Sequence, residues 1–266
     1  MYPKLISIGS FYLPTYGVLV ALGFLAGLWV ATRLAQRVGL PPEKITDLAV
    51  YCAIAGILGA KLFMFLFDAG EYLSHPREIF SFETLQAAGV FHGGLIAALV
   101  VAWLYIQRQH LPVWITMDAF APGISLGHSI GRLGCFAAGC CWGKECYLPW
   151  GVYFRSDAAA PVPLGKPLHP VQLYESAANL VIFGILYRRF NRAHPPGQVI
   201  GLYLVLYSAV RFVIELFREH EQSLVGPFSI TQWIAIGLFS IGAVILLRTR
   251  QTALVCPREP ETAHAQ

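Results

Sequence analysis

Charged residues are scarce in this sequence. Of its 266 residues only 13% are Asp, Glu, Lys or Arg, whereas 56% are hydrophobic and the mean hydropathy is +0.57. A soluble globule of this composition would expose a large apolar surface, so the composition favours an integral membrane protein. The net charge of +4 is small, and no basic run interleaved with aromatic residues occurs. We therefore predict no nucleic-acid partner.

Other familiar signals are also missing. The first residues lack the basic start, short apolar run and small-residue cleavage site of a signal peptide, so we expect the first apolar run to remain as a membrane helix. Four of the six cysteines fall within twelve residues, at 135, 140, 141 and 146. This spacing matches neither a secreted disulfide framework nor a zinc motif. External disulfides or a soft metal stay open, but small buried hydrophobes are the favoured interpretation, with no metal predicted.

Apolar runs are what the sequence has in abundance. Seven runs are close to the roughly 20 helical residues needed to cross about 30 Å of hydrocarbon. They lie near residues 14–32, 46–67, 90–107, 116–135, 170–188, 199–217 and 229–247. The sequence therefore predicts an all-α, polytopic membrane protein of about seven transmembrane helices, forming one domain over residues 1–266. Only the fourth run is in doubt, because Pro122 and nearby glycines weaken a helix and could make it broken or re-entrant.

The loop charges predict an orientation. Arginines follow the first, third, fifth and seventh runs, whereas acidic residues dominate after the second. Because Lys and Arg accumulate in cytoplasmic loops, we expect an external amino terminus and a cytoplasmic carboxyl terminus. Residues 143–168 then form a small external cap, and residues 251–266 form a disordered cytoplasmic tail.

The stretch from 118 to 143 combines apolar character with Asp118, His128 and Arg132. A charge at membrane depth costs several kcal/mol, so it normally faces a partner or a water-filled cavity. Arg132 lies between Gly131 and Gly134, which allow close approach of a ligand to a fixed fork of donors, and phosphate suits that fork. His128 could be either structural or catalytic.

Three further polar positions or stripes occur in the apolar runs. Tyr207, Arg211, Glu215 and Arg218 share one helical face, and so do Gln172, Glu175 and Asn179. An ion pair between Arg211 and Glu215 could simply lock two helices together, and the second stripe could bond helices. Function is the favoured interpretation, since intramembrane charges are expensive as structure. His92 begins the third run, as a helix-end residue or as a base near pH 7.

Four motifs occur together in a fixed order. They are FHGGLIAA around His92, GRLGCFAAGCCWG from Gly131 to Gly143, HPVQLYE from His169 to Glu175, and YSAVRFVIELFR from Tyr207 to Arg218. Together they resemble the bacterial phosphatidylglycerol prolipoprotein diacylglyceryl transferase family. The resemblance extends from about Tyr16 to Arg218.

The resemblance implies a reaction and roles for site residues. The expected enzyme of the bacterial inner membrane moves diacylglyceryl from phosphatidylglycerol to the lipobox cysteine of a preprolipoprotein, releasing glycerol phosphate without a cofactor. The catalytic positions it implies are His92 as base, Arg211, Tyr207 and Tyr16. The substrate-binding positions are Arg132, Gly143, Gln172, Glu175 and Glu215, with Arg132 and Arg211 holding the departing phosphate.

The sequence departs from the family pattern at two positions. Cys135 stands where an asparagine is expected, and Cys140 where a glutamate is usual. Cysteine is a poorer hydrogen-bond partner than either, so head-group contacts at these positions do not carry over. We favour a variant branch with the same chemistry. The alternatives are a paralogue with another acceptor or donor, a membrane scaffold, and a transporter, although no paired halves occur. An enzyme should bring Arg132, Arg211 and His92 to one cavity.

Overall fold

The computed structural model describes residues 3–8, 11–74, 89–155, 162–219, 227–249 and 254–257. Their helices are α1 (Thr15–Arg37), α2 (Pro42–Phe67), α3 (Ala69–Ser74), α4 (Phe91–Arg108), α5 (Val113–Ala138), α6 (Val171–Phe190), α7 (Gln198–Glu215) and α8 (Ile230–Thr249). The predicted all-helical class is confirmed. By length and composition α1, α2, α7 and α8 could each cross a membrane. Polar residues dilute the apolar character of α5 and α6.

The strands are short. An antiparallel hairpin of β1 (Lys4–Ile8) and β2 (Phe11–Pro14) precedes α1, and β3 (Val152–Tyr153) pairs with β4 (Pro167–Leu168) in the predicted cap. Most of the tail predicted to be disordered lies outside the described residues. Val255, within that tail, forms a β-bridge with His194.

The contacts divide the chain into two units. Leu40–Val113 holds α2 to α4, and the second unit combines Met1–Gly39 with Trp114–Gln266. In the first unit α2 meets α4 through glycines, and a Cβ added at Gly94 would lie 2.7 Å from the Gly56 carbonyl oxygen. Small residues of this kind let two helix backbones approach closely inside a membrane.

The same device joins α1 to α5 in the second unit. A Cβ added at Gly27 would lie 2.6 Å from the Gly123 carbonyl oxygen, and one at Gly23 would lie 2.7 Å from that of Gly127. The possibility that the fourth run is broken is contradicted, because α5 is continuous through Pro122. Packing of Gly123 and Gly127 against α1, directly after the proline, supports the helix there, as neighbouring helices do for prolines in membrane proteins.

Asp118, near the start of α5, has a structural role. Its carboxylate accepts hydrogen bonds from the backbone N–H groups of Gly197 at 2.7 Å and Ile200 at 2.8 Å. These donors belong to the amino-terminal turn of α7, where a helix leaves its first N–H groups unpaired. His194 Nε2 lies 3.8 Å from the same carboxylate. Asp118 therefore caps α7 from a neighbouring helix.

Candidate active site

Arg132 and Glu175 form a buried two-point ion pair. Arg132 Nε lies 2.9 Å from Glu175 Oε2, and Nη2 donates to Oε1 at 3.0 Å. Only 2% of the Glu175 side chain is exposed. His128, one turn before Arg132, accepts a hydrogen bond from Arg132 Nε at 3.2 Å. The fork predicted to receive a phosphate is thus engaged by an internal carboxylate, and it is held in one orientation.

Arg211 is bonded less completely. Its Nη2 lies 3.1 Å from Glu215 Oε2, one turn later in α7. Its Nη1 is buried and has no hydrogen-bond partner among the residues the structure describes. The charge of Arg211 also acts on Glu175, so the two arginine sites share one electrostatic environment. A buried donor that is left open next to an ion pair suits an incoming anion.

Glu215 is fixed by the start of α8. Ser229 Oγ donates to Glu215 Oε1 at 3.2 Å. Ser229 and Gln232 form a capping box: the Gln232 N–H donates to Ser229 Oγ at 3.2 Å, and the Ser229 N–H donates to Gln232 Oε1 at 3.1 Å. The helix cap therefore orients the carboxylate that holds Arg211.

Arg218 adds a third guanidinium at this end of α7. Its Nε is buried and lacks a hydrogen-bond partner within the described part of the chain. Burial, and after it the nearby Arg211 guanidinium, lower the pKa of Arg218, although a guanidinium stays charged at any physiological pH. Two buried donors, Arg211 Nη1 and Arg218 Nε, are thus open in one charged environment.

Tyr207 and Tyr16, both predicted from the resemblance, flank these charges. The Tyr207 ring lies 5.4 Å from that of His128 and stacks on Tyr203 at 5.6 Å between centroids. Tyr16, at the start of α1, contacts Gly134, where an added Cβ would meet its Cδ2 at 3.3 Å. Tyr16 is also close enough for the Arg132 charge to act on it.

Gly143 lies where three segments cross. It forms a β-bridge with Arg218, and its N–H donates to the His169 carbonyl at 3.0 Å. A Cβ at Gly143 would overlap the Val171 side chain and would lie 2.5 Å from the Phe217 carbonyl oxygen. The structure thus gives this glycine a packing role: without a side chain, it can lie close enough to the segment after α7 to form the β-bridge with Arg218.

Gln172 and two of the cysteines lie next to the charged residues of this site. Gln172 Nε2 donates to the Cys140 carbonyl at 2.6 Å, and its buried Oε1 has no partner among the described residues. Arg132 Nη1 lies 3.9 Å from Cys135 Sγ, a weak contact at the position where the family pattern has an asparagine. The two departures from the pattern therefore both lie at the site.

His92 belongs to the other unit. It is the second residue of α4, it is exposed, and Gly93 and Gly94 behind it pack on α2. Its predicted convergence with the arginines stays a prediction.

An apolar groove of about 600 Å³ lies between α6, the carboxyl-terminal part of α7 and the cap. Its walls include Trp150, Tyr174, Ala178, Val210, Val213 and Phe217. Val210 and Val213 lie on a different face of α7 from the one that carries Tyr207, Arg211 and Glu215. One helix thus presents both a polar face and an apolar face, as contact with an amphipathic lipid requires.

Sequence reasoning gave Arg218 no role, although its place in the stripe of α7 was visible. It also missed Ser229, whose signal was the Ser-x-x-Gln spacing of a capping box.

The fold and the site define the class of protein: a polytopic, helical membrane protein with a buried cluster of arginines at one end of its helices. The sequence pattern of the family described as prolipoprotein diacylglyceryl transferase matches residues 3–248. The chain belongs to this family, and the resemblance predicted from its four motifs is confirmed.

Individual relatives agree. The chain is 33% identical to the phosphatidylglycerol–prolipoprotein diacylglyceryl transferase of Nitratidesulfovibrio vulgaris strain Miyazaki F, over 94% of this chain and 95% of that protein. It is 33% identical to the enzyme of the same name from Bordetella avium, over 93% and 94% of the two chains. For the Clostridium tetani enzyme the identity is 29%, over 92% and 96%.

Proposed function

We propose that the chain transfers the diacylglyceryl group of phosphatidylglycerol to the lipobox cysteine thiol of a preprolipoprotein, the first step of lipoprotein maturation. The thiolate sulfur attacks the glycerol carbon that carries the phosphate. A carbon–sulfur thioether bond forms, the carbon–oxygen bond breaks, and its electron pair leaves with glycerol phosphate. Family membership and the names of the relatives support this reaction.

The observation that carries the proposal is the pair of open, buried guanidinium donors, Arg211 Nη1 and Arg218 Nε. The leaving phosphate gains negative charge in the transition state, and donors already in place stabilise it without reorganising. We assign the phosphate to Arg211 and Arg218. Arg132, whose fork is taken by Glu175, contributes its charge from a fixed position.

The remaining predicted residues receive supporting roles. A thiol with a pKa near 8.5 is mostly protonated at neutral pH, and we assign its proton to His92. We assign Tyr16 and Tyr207 to contacts with the head group, since Tyr207 packs against His128 and Tyr16 against Gly134 near Arg132. Glu175, Glu215, Gln172 and Gly143 hold the first contacts in position. The groove beside α7 offers an apolar surface for an acyl chain. We place the protein in the bacterial inner membrane with its amino terminus outside.

The test is transfer in reconstituted vesicles. Vesicles contain phosphatidylglycerol, phosphatidylethanolamine or phosphatidylserine as the only variable lipid, and a lipobox peptide is the acceptor. We expect the peptide to gain the mass of a diacylglyceryl group only with phosphatidylglycerol. Product from another lipid alone would identify a paralogue with a different donor.

Paired variants test the assigned donors. Arg211→Ala and Arg218→Ala should each lower transfer by about 100-fold or more, as removal of one preorganised donor does elsewhere. Arg188→Ala is the matched control, since Arg188 is exposed in the last turn of α6. Transfer at the wild-type rate by folded Arg211→Ala would refute the phosphate role.

A further inference from the structure

Three thiols lie together at the end of α5. The sulfur atoms of Cys135, Cys140 and Cys141 are all within 4.8 Å of one another, and the three residues are partly buried. No disulfide links the cysteines in the part of the chain that is described. The proposed transfer reaction uses none of these thiols. The lipobox thiol it requires belongs to the other substrate.

The local backbone creates this cluster. α5 ends in a Schellman motif: Gly139 has φ +73°, its N–H donates to the Phe136 carbonyl at 3.2 Å, and the Cys140 N–H donates to the Cys135 carbonyl at 3.1 Å. The motif folds Cys140 back over Cys135. Cys141 then adopts φ +62°, a left-handed conformation that is uncommon for a residue other than glycine. The chain thus accepts a disfavoured conformation where the third thiol joins the first two.

The charge around the cluster suits thiolates. Arg132 Nη1 lies 3.9 Å from Cys135 Sγ, and the charges of Arg218 and Arg132 act on Cys141. A metal binds the thiolate rather than the thiol, and ligands must lose their protons to bind. Neighbouring guanidiniums offset the net negative charge that three thiolates would leave on a monovalent or divalent cation.

We propose that Cys135, Cys140 and Cys141 bind one soft d¹⁰ cation, of the class of zinc(II) and copper(I), through three thiolates. At the usual metal–sulfur distance of about 2.3 Å, sulfur ligands lie about 3.8 Å apart, so each side chain needs to move by only about 1 Å. Thiolate ligands select such cations over magnesium or calcium. A water or another ligand completes a zinc site, whereas copper(I) accepts three sulfurs alone.

Metal binding to the full-length, reduced chain in detergent is the test. Cobalt(II), which accepts the same ligands as zinc, is titrated anaerobically while the thiolate-to-cobalt charge-transfer absorbance is followed, and zinc is then added to displace it. Copper(I) is titrated against a competing chelator. We expect one metal per chain, and protection of three thiols from alkylation, counted by mass spectrometry.

Two variants locate the site. Cys140→Ser should weaken binding by at least about 100-fold, because loss of even an outer-shell partner can cost 10- to 100-fold. Cys52→Ser is the control, since Cys52 lies in α2, where its sulfur is 3.6 Å from the Ala98 carbonyl oxygen. If Cys140→Ser does not fold, the count of thiols protected in the wild-type chain decides.

The overturning results are specific. Absence of stoichiometric binding by the reduced wild-type chain would overturn the proposal, as would equal affinity in Cys140→Ser. Isolation of the chain with the mass of two hydrogens missing, together with no metal binding after reduction, would show a disulfide pair instead. Diacylglyceryl transfer is measured separately, so failure of this proposal leaves the proposed function standing.

Discussion

α5 carries a buried charge near each end, and the two charges are surrounded differently. Asp118 accepts two backbone hydrogen bonds from the start of α7, and both of its oxygens are used. At the other end Arg132 is satisfied by Glu175, but Arg211 Nη1, Arg218 Nε and Gln172 Oε1 are buried without partners among the described residues. Because a buried polar group without a partner costs about 1–3 kcal/mol, two guanidinium donors left open at one place indicate a site where a ligand pairs with them. Burial of a charge alone therefore does not mark a site, whereas open guanidinium donors do.

Glu175→Ala should have the largest effect, and the quantity it changes is the stability of the fold. This change leaves the buried Arg132 guanidinium without its carboxylate, which should lower the free energy of unfolding by about 3–5 kcal/mol. Thermal unfolding in detergent measures it. Glu175→Gln keeps the size of the side chain and should lose less. Wild-type stability of Glu175→Ala would mean that Arg132 has another partner.

Arg211→Lys separates charge from hydrogen bonding. Lysine keeps the positive charge but cannot both bond Glu215 and place a donor where Nη1 lies. We expect transfer to fall by about 100-fold while the unfolding temperature changes little. Arg188→Lys should be silent in the same assay. If Arg211→Lys retained full activity, positive charge alone would be sufficient for transfer, and the hydrogen bond assigned to Arg211 Nη1 would be contradicted.

Asp118→Ala tests the end of α5 where the buried charge has all of its hydrogen bonds. It leaves the buried N–H groups of Gly197 and Ile200 unpaired, and we expect a loss of about 2–4 kcal/mol in unfolding free energy. Asp118→Asn keeps one carbonyl oxygen as an acceptor, so its unfolding free energy should lie between those of wild type and Asp118→Ala. Transfer per folded molecule should equal that of wild type. A stable Asp118→Ala chain with reduced turnover would place Asp118 in the site after all.

Gly143→Ala perturbs the packing around Arg218, at the end of the molecule where the guanidinium donors are open. The added methyl group meets Val171 and the Phe217 carbonyl, so we expect a stability loss of about 1–3 kcal/mol and reduced transfer, because Arg218 is bridged to this residue. Gly184→Ala is the control, since a Cβ there meets nothing within 4 Å. Unchanged stability and transfer would show that the segments around Gly143 can move apart to accommodate the methyl group.

The smallest effect should come from the exposed ion pair of the cap. Lys166 bonds Glu145 and lowers the pKa of the Glu145 carboxyl. A lowered carboxyl pKa gives stability that is present above the unfolded value and is lost as the pH falls through the folded value. Lys166→Ala should therefore lower the unfolding temperature only slightly near pH 7, and the difference from wild type should shrink as the pH falls below the ordinary carboxyl range. A larger effect at acid pH would contradict the assignment.

Much of this protein was visible in its sequence. The apolar runs predicted the helical membrane class, and the spacing of Arg211 and Glu215 placed them on one face, because both follow from local periodicity. Arg218, predicted on the same helical face, lies just beyond the end of α7. The four motifs predicted the family. The continuity of α5 through Pro122 was not visible, since it depends on packing against α1. The orientation in the membrane and the role of His92 stay predictions.

The sequence by itself determined which residues are charged, which runs are apolar, and which motifs place the chain in its family. Only the tertiary structure decided which charged side chains are paired within the protein and which keep an open hydrogen-bond donor. Asp118 and Arg132 look alike as intramembrane charges in one segment, but their partners come from α7 and α6, far along the chain. A hydrogen bond between distant segments depends on distances of a few tenths of an ångström, and no local pattern encodes these.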